Sequence, residues 1–357
     1  MAVVQYKCLN CGGPLKFDPA TGKHTCEYCR SVFVSEELKE PESESAADSA
    51  KATAQMKPES TVNAEEAGKV YICPSCGATI MTDDTTAATF CYYCHNPVVL
   101  SGRLEGSLRP DFVVPFRIDR KKALSIFESW IQKKKYVPDA FYSKEQIEKF
   151  TGVYFPYLLY SCNLDGKIEA DVTKTEIRTE GDFEVTDRGL YHIVRDGNME
   201  IRYVLRNALK KANSVLAECV QPFELDAENL KPFQMSYLSG FFAEKRDIEK
   251  EELTDSMRQE VREHAVSSLQ DSVSEYDDVR ITDDHIRLVN EKWHYALFPV
   301  WTMTYKHGGK LYYFSVNGQT GKTVGELPVD NGKLLRTFLL IFIPFMLVLL
   351  AVFYFIF

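Results

Sequence analysis

The stretch CLNCGG at residues 8–13 contains a Cys-x-x-Cys pair, and CEYCR at residues 26–30 supplies a second pair after fourteen intervening residues. The same arrangement returns in CPSCGA at residues 73–78 and CYYCH at residues 91–95, again with fourteen residues between the pairs. Four thiolates brought together by two tight turns form the closed tetrahedral site that structural zinc prefers. We therefore predict two small β zinc ribbons, over residues 1–35 and 69–102, each holding one structural Zn²⁺.

Eight cysteines, four in each ribbon, are the predicted metal ligands: Cys8, Cys11, Cys26, Cys29, Cys73, Cys76, Cys91 and Cys94. Gly12 and Gly77 each follow a pair and allow a turn that points backbone N–H groups at sulfur. Because all four ligands of each site are sulfur, no position is left for a water, which favours structural over catalytic metal. A segment this small needs the metal for its folding energy. His24 and His95 lie near complete quartets and are expected at the surface.

The size and charge of the whole chain limit its possible functions. It has 357 residues, is 45% hydrophobic and carries a formal net charge of −9. This length allows a sizeable core and two or three domains. The net charge argues against a broad surface for a polyanion, since nucleic-acid affinity depends on lysine and arginine meeting phosphate. The first residues, MAVVQYKCLN, resemble no secretory signal, so we expect the thiols to stay in a reducing cytoplasm.

The segment Phe338–Phe357, FLLIFIPFMLVLLAVFYFIF, is twenty residues long and has no charged residue. At 1.5 Å per residue, a helix of this length spans about 30 Å, the hydrocarbon thickness of a bilayer. We predict a single-pass transmembrane anchor; the alternative, a buried core helix, would normally show polar positions. Lys333 and Arg336 precede the span and nothing follows it, so the positive-inside rule places the preceding chain in the cytoplasm.

Residues 36–68 separate the two ribbons and contain nine acidic residues and three lysines. Almost nothing in this stretch is apolar enough to bury, which predicts an acidic flexible linker. A transient helix in NAEEAGK, residues 63–69, is the alternative. On such a linker the first ribbon is expected to reach outward.

Residues 109–330 have the composition of a packed α+β domain. Asp119 is predicted to cap a helix whose apolar residues recur at helical spacing, namely Ala123, Phe127, Trp130 and Ile131. A short second helix is predicted from Ser143, with Gln146 completing a capping box and Ile147 and Phe150 facing inward. Residues 254–274 predict a third helix with an apolar residue at every fourth position: Met257, Val261, Ala265, Leu269 and Val273.

Two aromatic, alternating stretches predict β-hairpins. They are GVYFPYLLYSCNLDGKIEADV at residues 152–172, with a turn at Asp165–Gly166, and ALFPVWTMTYKHGGKLYYFSV at residues 296–316. In both, proline of a Phe-Pro pair precedes glycine of a Gly-Lys pair by ten residues. Since each copy also follows a helical segment, we infer that the α+β domain has two related halves.

Motifs that suggest catalysis have simpler interpretations. NGQTGKT at residues 317–323 has Val316 where a phosphate-binding loop needs glycine, so it predicts a strand-turn-strand hairpin. DDHIRL at residues 283–288 has no accompanying nucleophile and predicts a solvated turn. Cys162 and Cys219 have apolar neighbours and are predicted to be buried thiols. We find no catalytic constellation and predict that the chain is not an enzyme.

Several stretches together resemble bacterial membrane-anchored TFIIB-type zinc-ribbon proteins. They are the tandem ribbons, the C-terminal span, VPFRIDRKKALSIFESWIQKKKYVPDAF (114–141), TGVYFPYLLY (151–160) and QPFELDAENLKPFQMSYLSGFFAEKRD (221–247). Members are often labelled as a primosomal helicase, a label that we reject because the sequence has no nucleotide loop or helicase core. The resemblance implies an integral protein that holds phage-shock protein A and an SPFH-domain partner at the cytoplasmic face. This chain departs from it in showing only one clear span.

The leading hypothesis is a non-enzymatic, membrane-anchored zinc-ribbon adaptor that recruits or scaffolds cytoplasmic envelope-stress proteins at the inner face of the membrane. The alternative is a membrane-tethered regulator that binds nucleic acid through its ribbons. Ribbon one has a net charge of +2 and ribbon two a net charge of −1. Tyr28, Tyr92 and Tyr93 could stack on bases, although tyrosines in a ribbon serve equally well for packing.

Overall fold

The computed structural model describes residues 3–38, 69–77, 79–91, 94–210 and 220–356. The chain forms two compact units, the first comprising Met1–Pro156, Leu209–Arg246 and Ala296–Phe357 and the second comprising Tyr157–Ala208 and Asp247–Tyr295. Three sequence predictions concern residues outside the described ones: most of the linker (39–68), the buried thiol Cys219, and the candidate stacking residues Tyr92 and Tyr93.

Both predicted ribbons contain short antiparallel strands. The first has a three-stranded sheet in the order β1 (Leu15–Asp18), β2 (Lys23–Cys26) and β3 (Val32–Phe33). The second begins with the two-stranded pair β4 (Lys69–Ile72) and β5 (Thr79–Thr82) and continues with β6 (Thr86–Phe90) and β7 (Pro97–Val99). Since β6 and β7 belong to the large sheet of the core, the second ribbon is continuous with that sheet.

The remaining elements, in chain order, are β8 (Phe112–Val113), α1 (Arg120–Ile131), α2 (Lys144–Glu148), β9 (Thr151–Glu180), β10 (Phe183–Asn207), β11 (Lys231–Pro232), β12 (Phe242–Glu244), α3 (Lys250–Asp271), β13 (Asp278–His307), β14 (Lys310–Asn317), β15 (Thr323–Gly325) and α4 (Asn331–Ile356). The sheet order is β11-β8-β13-β9-β12-β6-β7, with β10 beside β9 and β14 between β13 and β15. β8 pairs with β13 in parallel, and β12 pairs with β9 in parallel, whereas β10 and β14 form antiparallel pairs. The core is therefore an α/β domain with a mixed sheet.

The predicted caps of the first two helices are present, but the capping box is not. The Asp119 carboxylate accepts a hydrogen bond from the Lys122 N–H at 2.7 Å. Of the predicted apolar face of α1, Ala123, Phe127 and Ile131 are buried and Trp130 is half-buried. The Ser143 hydroxyl accepts from the Gln146 N–H at 3.4 Å. However, the Gln146 amide donates to the carbonyl of Thr304. The capping-box prediction is wrong because this buried side chain donates to a strand carbonyl instead of to the start of its own helix.

Helix α3 covers one face of the second unit. It begins at Lys250, four residues before the predicted start, and buries Met257, Val261, Ala265 and Leu269. These side chains pack against buried residues of β9 and β13, namely Tyr160, Cys162, Leu164, Ile168 and Ile286. The predicted burial of Cys162 is confirmed, since it is 2% exposed.

The predicted turn at Asp165–Gly166 is wrong, because β9 continues through it to Glu180. A Cβ atom at Gly166 would lie 3.0 Å from Cδ1 of Leu269, so this glycine makes room for α3. The chain turns at Gly181 instead, where φ is +64°. In the second copy the predicted turn is present: Gly308 and Gly309, with φ of +56° and +80°, join β13 to β14.

The two motifs that resembled catalytic sequences both lie in the β-sheet. Asn317 ends β14 and Thr323 begins β15, which confirms the predicted hairpin at NGQTGKT. Residues 283–288 belong to strand β13 and not to a turn, so that prediction is wrong. The charged side chains remain exposed as expected, but Ile286 is buried, because alternate strand residues face opposite sides of the sheet.

The two segments predicted to be related contain the same order of elements. Each has a short strand, a helical region, a long strand and an antiparallel partner, as in β8–α1–α2–β9–β10 and β12–α3–β13–β14. The backbone contacts before the main helices also correspond. The Gly318 carbonyl accepts from the Ile118 N–H at 2.9 Å, and the Ala208 carbonyl accepts from the Ile248 N–H at 3.3 Å. A common origin of the two halves stays a prediction.

The C-terminal helix α4 includes the predicted span and begins seven residues before it. Its segment Asn331–Tyr354 is long and apolar enough to cross a membrane, and none of its apolar window is buried. Pro344 lies inside the helix. The apolar helix is compatible with the predicted single-pass anchor, while the side of the membrane on which the preceding chain lies stays a prediction.

Candidate metal centres

Each Cys-x-x-Cys pair is closed by the same tight turn, which we call a knuckle. The N–H of the residue after the second cysteine donates to the carbonyl of the first, over 2.8–3.0 Å, in the pairs Gly12 to Cys8, Arg30 to Cys26, Gly77 to Cys73 and His95 to Cys91. The donor residues have φ of +73°, +61°, +73° and +57°. Glycine adopts this conformation freely, as predicted from sequence, whereas Arg30 and His95 adopt it at a cost of about 1–2 kcal/mol each.

The knuckles bring the eight predicted cysteines into two groups of four. In each group all Sγ atoms lie within 4.8 Å of one another. The Sγ–Sγ distances are 3.4 Å for Cys8–Cys29 and 3.5 Å for Cys11–Cys26. In the second group, Cys73–Cys94 and Cys76–Cys91 are both 3.7 Å apart.

These distances can be compared with a four-thiolate zinc site. A tetrahedron with Zn–S bonds of about 2.3 Å has sulfur–sulfur edges of about 3.8 Å. The observed Sγ–Sγ distances of 3.4–3.7 Å lie within about 0.4 Å of that edge. Both groups are therefore compatible with a structural metal ion.

The first cysteine of each pair is buried and the second lies closer to solvent. Cys8, Cys26, Cys73 and Cys91 are at most 3% exposed, whereas Cys11, Cys29 and Cys76 are exposed and Cys94 is half-buried. The Ser31 hydroxyl and N–H lower the pKa of Cys29 to about 6, and burial raises the pKa of Cys94 to about 12. Binding of a metal therefore has to displace protons from some of these thiols, which makes the affinity pH-dependent.

His24 is buried, so the expectation that it lies at the surface is wrong. It is 0% exposed, its Nε2 lies 2.9 Å from the Ser236 carbonyl, and its ring packs on Phe17 at 5.3 Å. Burial lowers its pKa below the usual value, which favours a neutral ring that donates Nε2–H to the carbonyl. His95 is exposed, as predicted.

The first ribbon is seated on residues 235–241 of the same unit. The Phe17 N–H donates to the Ser239 carbonyl at 2.9 Å, and the Ser239 hydroxyl donates to the Leu15 carbonyl. The Phe17 ring packs on Tyr237 at 5.2 Å. These contacts hold the ribbon against the core, contrary to the expectation that it reaches outward on the linker.

The two ribbons also pair with each other, and the second ribbon pairs with the core strand β12. Val4 and Val99 exchange two backbone hydrogen bonds of 2.8 and 3.0 Å. On β6, Ala88 pairs with Ala243, and the Lys245 N–H donates to the Thr85 carbonyl at 2.7 Å. The two groups of four cysteines thus belong to the packed structure of the first unit.

The stretch MSYLSGF, residues 235–241, was not predicted from the sequence to be the seat of the first ribbon. Two signals were available in that stretch: a cluster of aromatic residues and a glycine. Gly240 has φ of +97°, and a Cβ atom there would lie 3.3 Å from Cβ of Lys16. Only the fold shows that this glycine allows the ribbon to approach.

Comparison with known proteins finds a relative along nearly the whole chain. The Bacillus subtilis (strain 168) protein called "Uncharacterized protein YdjG" is 32% identical over 336 residues, which is 94% of this chain and 93% of that protein. No family model matches the chain. No solved structure matches it either.

Proposed function

The chain belongs to the family of Bacillus subtilis YdjG, and we propose that it is a non-enzymatic, zinc-binding adaptor anchored in the membrane by α4. In this proposal it recruits or scaffolds cytoplasmic envelope-stress proteins of the phage-shock protein A or SPFH type at the inner face. The observation that carries the proposal is that two closed four-cysteine groups belong to the same compact unit as a membrane-length apolar helix.

Zinc is the metal that the donor set favours. Four sulfur ligands at tetrahedral spacing suit Zn²⁺, which has no redox chemistry of its own and takes this geometry in structural sites. Bound zinc would hold two knuckles together and so keep the strands β1–β3, or β4–β7, in place. With every ligand supplied by cysteine, we assign the metals no catalytic role.

The exposed tips of the first ribbon are the proposed docking surface for a protein partner. Leu9 and Tyr28 lie between the cysteines of their pairs and are 69% and 74% exposed. Exposed apolar side chains that form one patch commonly mark protein–protein contacts, and the two pairs that carry Leu9 and Tyr28 meet at one group of four cysteines. Because the ribbon is held on residues 235–241, these tips are presented from a fixed base, which reduces the ordering cost of binding.

Anchoring by α4 would raise the local concentration of the docking surface at the membrane. A partner that already has weak affinity for the membrane would then bind two linked sites, and its retention would exceed that given by either contact alone. This is the physical advantage that an adaptor of this kind offers without any catalysis.

The test is co-purification in mild detergent of the tagged full-length chain with a phage-shock protein A-type or SPFH-type protein. The double variant Leu9→Ser with Tyr28→Ser should reduce recovery of the partner. Phe183→Ser with Leu190→Ser, which changes residues that are 75% and 79% exposed at the β9–β10 hairpin, is the matched control and should not. Zinc content measured by atomic absorption should be equal in all three proteins. Equal partner recovery from wild type and the Leu9/Tyr28 variant would contradict the proposal.

A second experiment tests the anchor. Deleting residues 338–357 should move both the protein and its bound partner into the soluble fraction. If both remain with the membrane, anchoring by α4 is wrong.

The nucleic-acid alternative is favoured by one observation, the exposed ring of Tyr28 on a ribbon with a net charge of +2. It is tested by a mobility-shift assay with the full-length protein in detergent at low salt. The adaptor proposal expects no shift of DNA or RNA. A shift that weakens steeply with salt would replace it with the nucleic-acid function.

A further inference from the structure

The base of α4 is fastened to the segment that follows α1. The Asp330 N–H donates to the Tyr136 carbonyl at 2.7 Å. The Lys333 ammonium donates to the Val137 carbonyl at 2.8 Å and to the Asp139 carboxylate at 2.6 Å. Residues 136–139 therefore lie where the chain enters its apolar helix.

Three consecutive lysines directly precede this attachment point. Lys133, Lys134 and Lys135 are all exposed, and Lys134 lies over the Trp130 ring at 5.5 Å. In the part of the chain that the structure describes, Lys133 and Lys135 form no ion pair with a carboxylate. Their charges are thus available to a ligand.

These lysines are close to the expected edge of the hydrocarbon layer. From Asp330 to Phe338 is eight residues, about 12 Å along a helix. Within this interval Leu334 and Leu335 are exposed and apolar while Lys333 and Arg336 are basic, so the interval belongs to the interface and not to the hydrocarbon. A polar headgroup layer is about 5–7 Å thick on each side of the bilayer. The attachment of Tyr136 to Asp330 therefore places the lysines at or just above the headgroups.

The charge at the base of α4 is opposite to that of the whole chain. We use the name basic collar for five basic residues at this point: Lys133, Lys134, Lys135, Lys333 and Arg336. Within residues 132–139 and 330–337, these five basic residues face two acidic ones, Asp139 and Asp330, a net charge of +3, whereas the chain carries −9.

We propose that the basic collar binds the anionic phospholipid headgroups of the membrane that α4 crosses. This inference rests on the proposed anchoring. A protein of net charge −9 is repelled by an anionic leaflet, and a basic patch at the point of entry offsets that repulsion. The collar would also fix how the first unit meets the bilayer, because Tyr136 and Val137, which directly follow the three lysines, accept hydrogen bonds from the Asp330 N–H and the Lys333 ammonium.

The test is native mass spectrometry of the detergent-purified full-length protein, titrated with phosphatidylglycerol or phosphatidylcholine of the same acyl chains. Wild type should bind phosphatidylglycerol more tightly. A juxtamembrane lysine near an anionic surface contributes about fivefold in affinity, so the triple variant K133Q/K134Q/K135Q should bind phosphatidylglycerol at least about tenfold more weakly. Its affinity for phosphatidylcholine should stay unchanged.

The matched control is the triple variant K121Q/K122Q/K149Q. It removes the same charge from exposed lysines, two of which lie in the first turn of α1, about 15 Å along the helix from Ile131. This control should keep the wild-type preference for phosphatidylglycerol. Unchanged zinc content in both variants shows that the first unit remains folded.

Two results would overturn the proposal: a collar variant that binds phosphatidylglycerol as tightly as wild type, and an equal loss in both variants, which would indicate a net-charge effect. Alkaline carbonate extraction of membranes separates this failure from that of the anchor. If wild type is washed off the membrane, anchoring fails and the collar proposal fails with it. If wild type stays and shows no lipid preference, the collar proposal alone is wrong.

Discussion

Replacing Cys26 by serine should remove one zinc ion from the chain and unfold the first ribbon. Cys26 is fully buried, and its Sγ lies 3.5 Å from that of Cys11, so serine leaves three thiolates around a site spaced for four. Structural zinc contributes about 10–16 kcal/mol in small zinc-binding peptides. The ribbon has little to replace this: burial of Phe17, its main apolar contact with residues 235–241, is worth about 1.5–3 kcal/mol.

The assay is zinc per chain by atomic absorption, combined with limited proteolysis of the purified full-length protein. Wild type should hold two zinc ions and the C26S variant one, with new cleavage within residues 3–38. The control is Cys162→Ser, which changes a cysteine that is equally buried but packed under α3, and it should keep two zinc ions. Retention of two zinc ions by C26S with a protease-resistant ribbon would refute this prediction, and so would the loss of a zinc ion from C162S.

Three further changes have expected results. Phe17→Ala should destabilise the seated ribbon by about 3–5 kcal/mol, seen as a lower urea midpoint, while zinc is retained. An unchanged midpoint would mean that the ribbon is not seated as described. Hydrogen bonds from Arg258 hold the pKa of Glu291 below its usual value. The Glu291→Gln variant should therefore be less stable than wild type near pH 7, and this difference should disappear as the pH falls through the lowered pKa. A difference in urea midpoint that is constant with pH would contradict this. Gly309→Ala should lower the thermal midpoint by the equivalent of about 1–2 kcal/mol, because φ is +80° in open space; no loss would show that the turn is not held in this conformation.

Features of the fold that depend on neighbouring residues could be predicted. The caps at Asp119 and Ser143 and the turn at Gly308–Gly309 involve contacts within a few residues. In contrast, the predicted turn at Gly166 was wrong, because an isolated glycine fits both a turn and a close packing position. Helix α3, more than eighty residues later in the chain, decides between them by placing Leu269 over that glycine.

The candidate metal centres show the same difference between local features, which can be predicted, and long-range contacts, which cannot. The knuckle at Cys8 is complete within six residues, so its spacing alone predicts the turn and the ligands. The burial of His24 could not be predicted this way, because its partner, Ser236, is 212 residues away and carries no pattern that points to it. The seat of the first ribbon was missed for the same reason.

The sequence by itself determined the two groups of four cysteines, the apolar faces of α1 and α3, and the membrane-length helix α4, because ligand spacing, helical periodicity and hydropathy are properties of short stretches. Only the tertiary structure decided that β9 runs straight through Gly166, that the first ribbon is packed on the core, and that the segment directly after the lysines at 133–135 is hydrogen-bonded to the base of α4. Each of these depends on contacts between residues about a hundred or more positions apart, where the chain's path decides which groups meet.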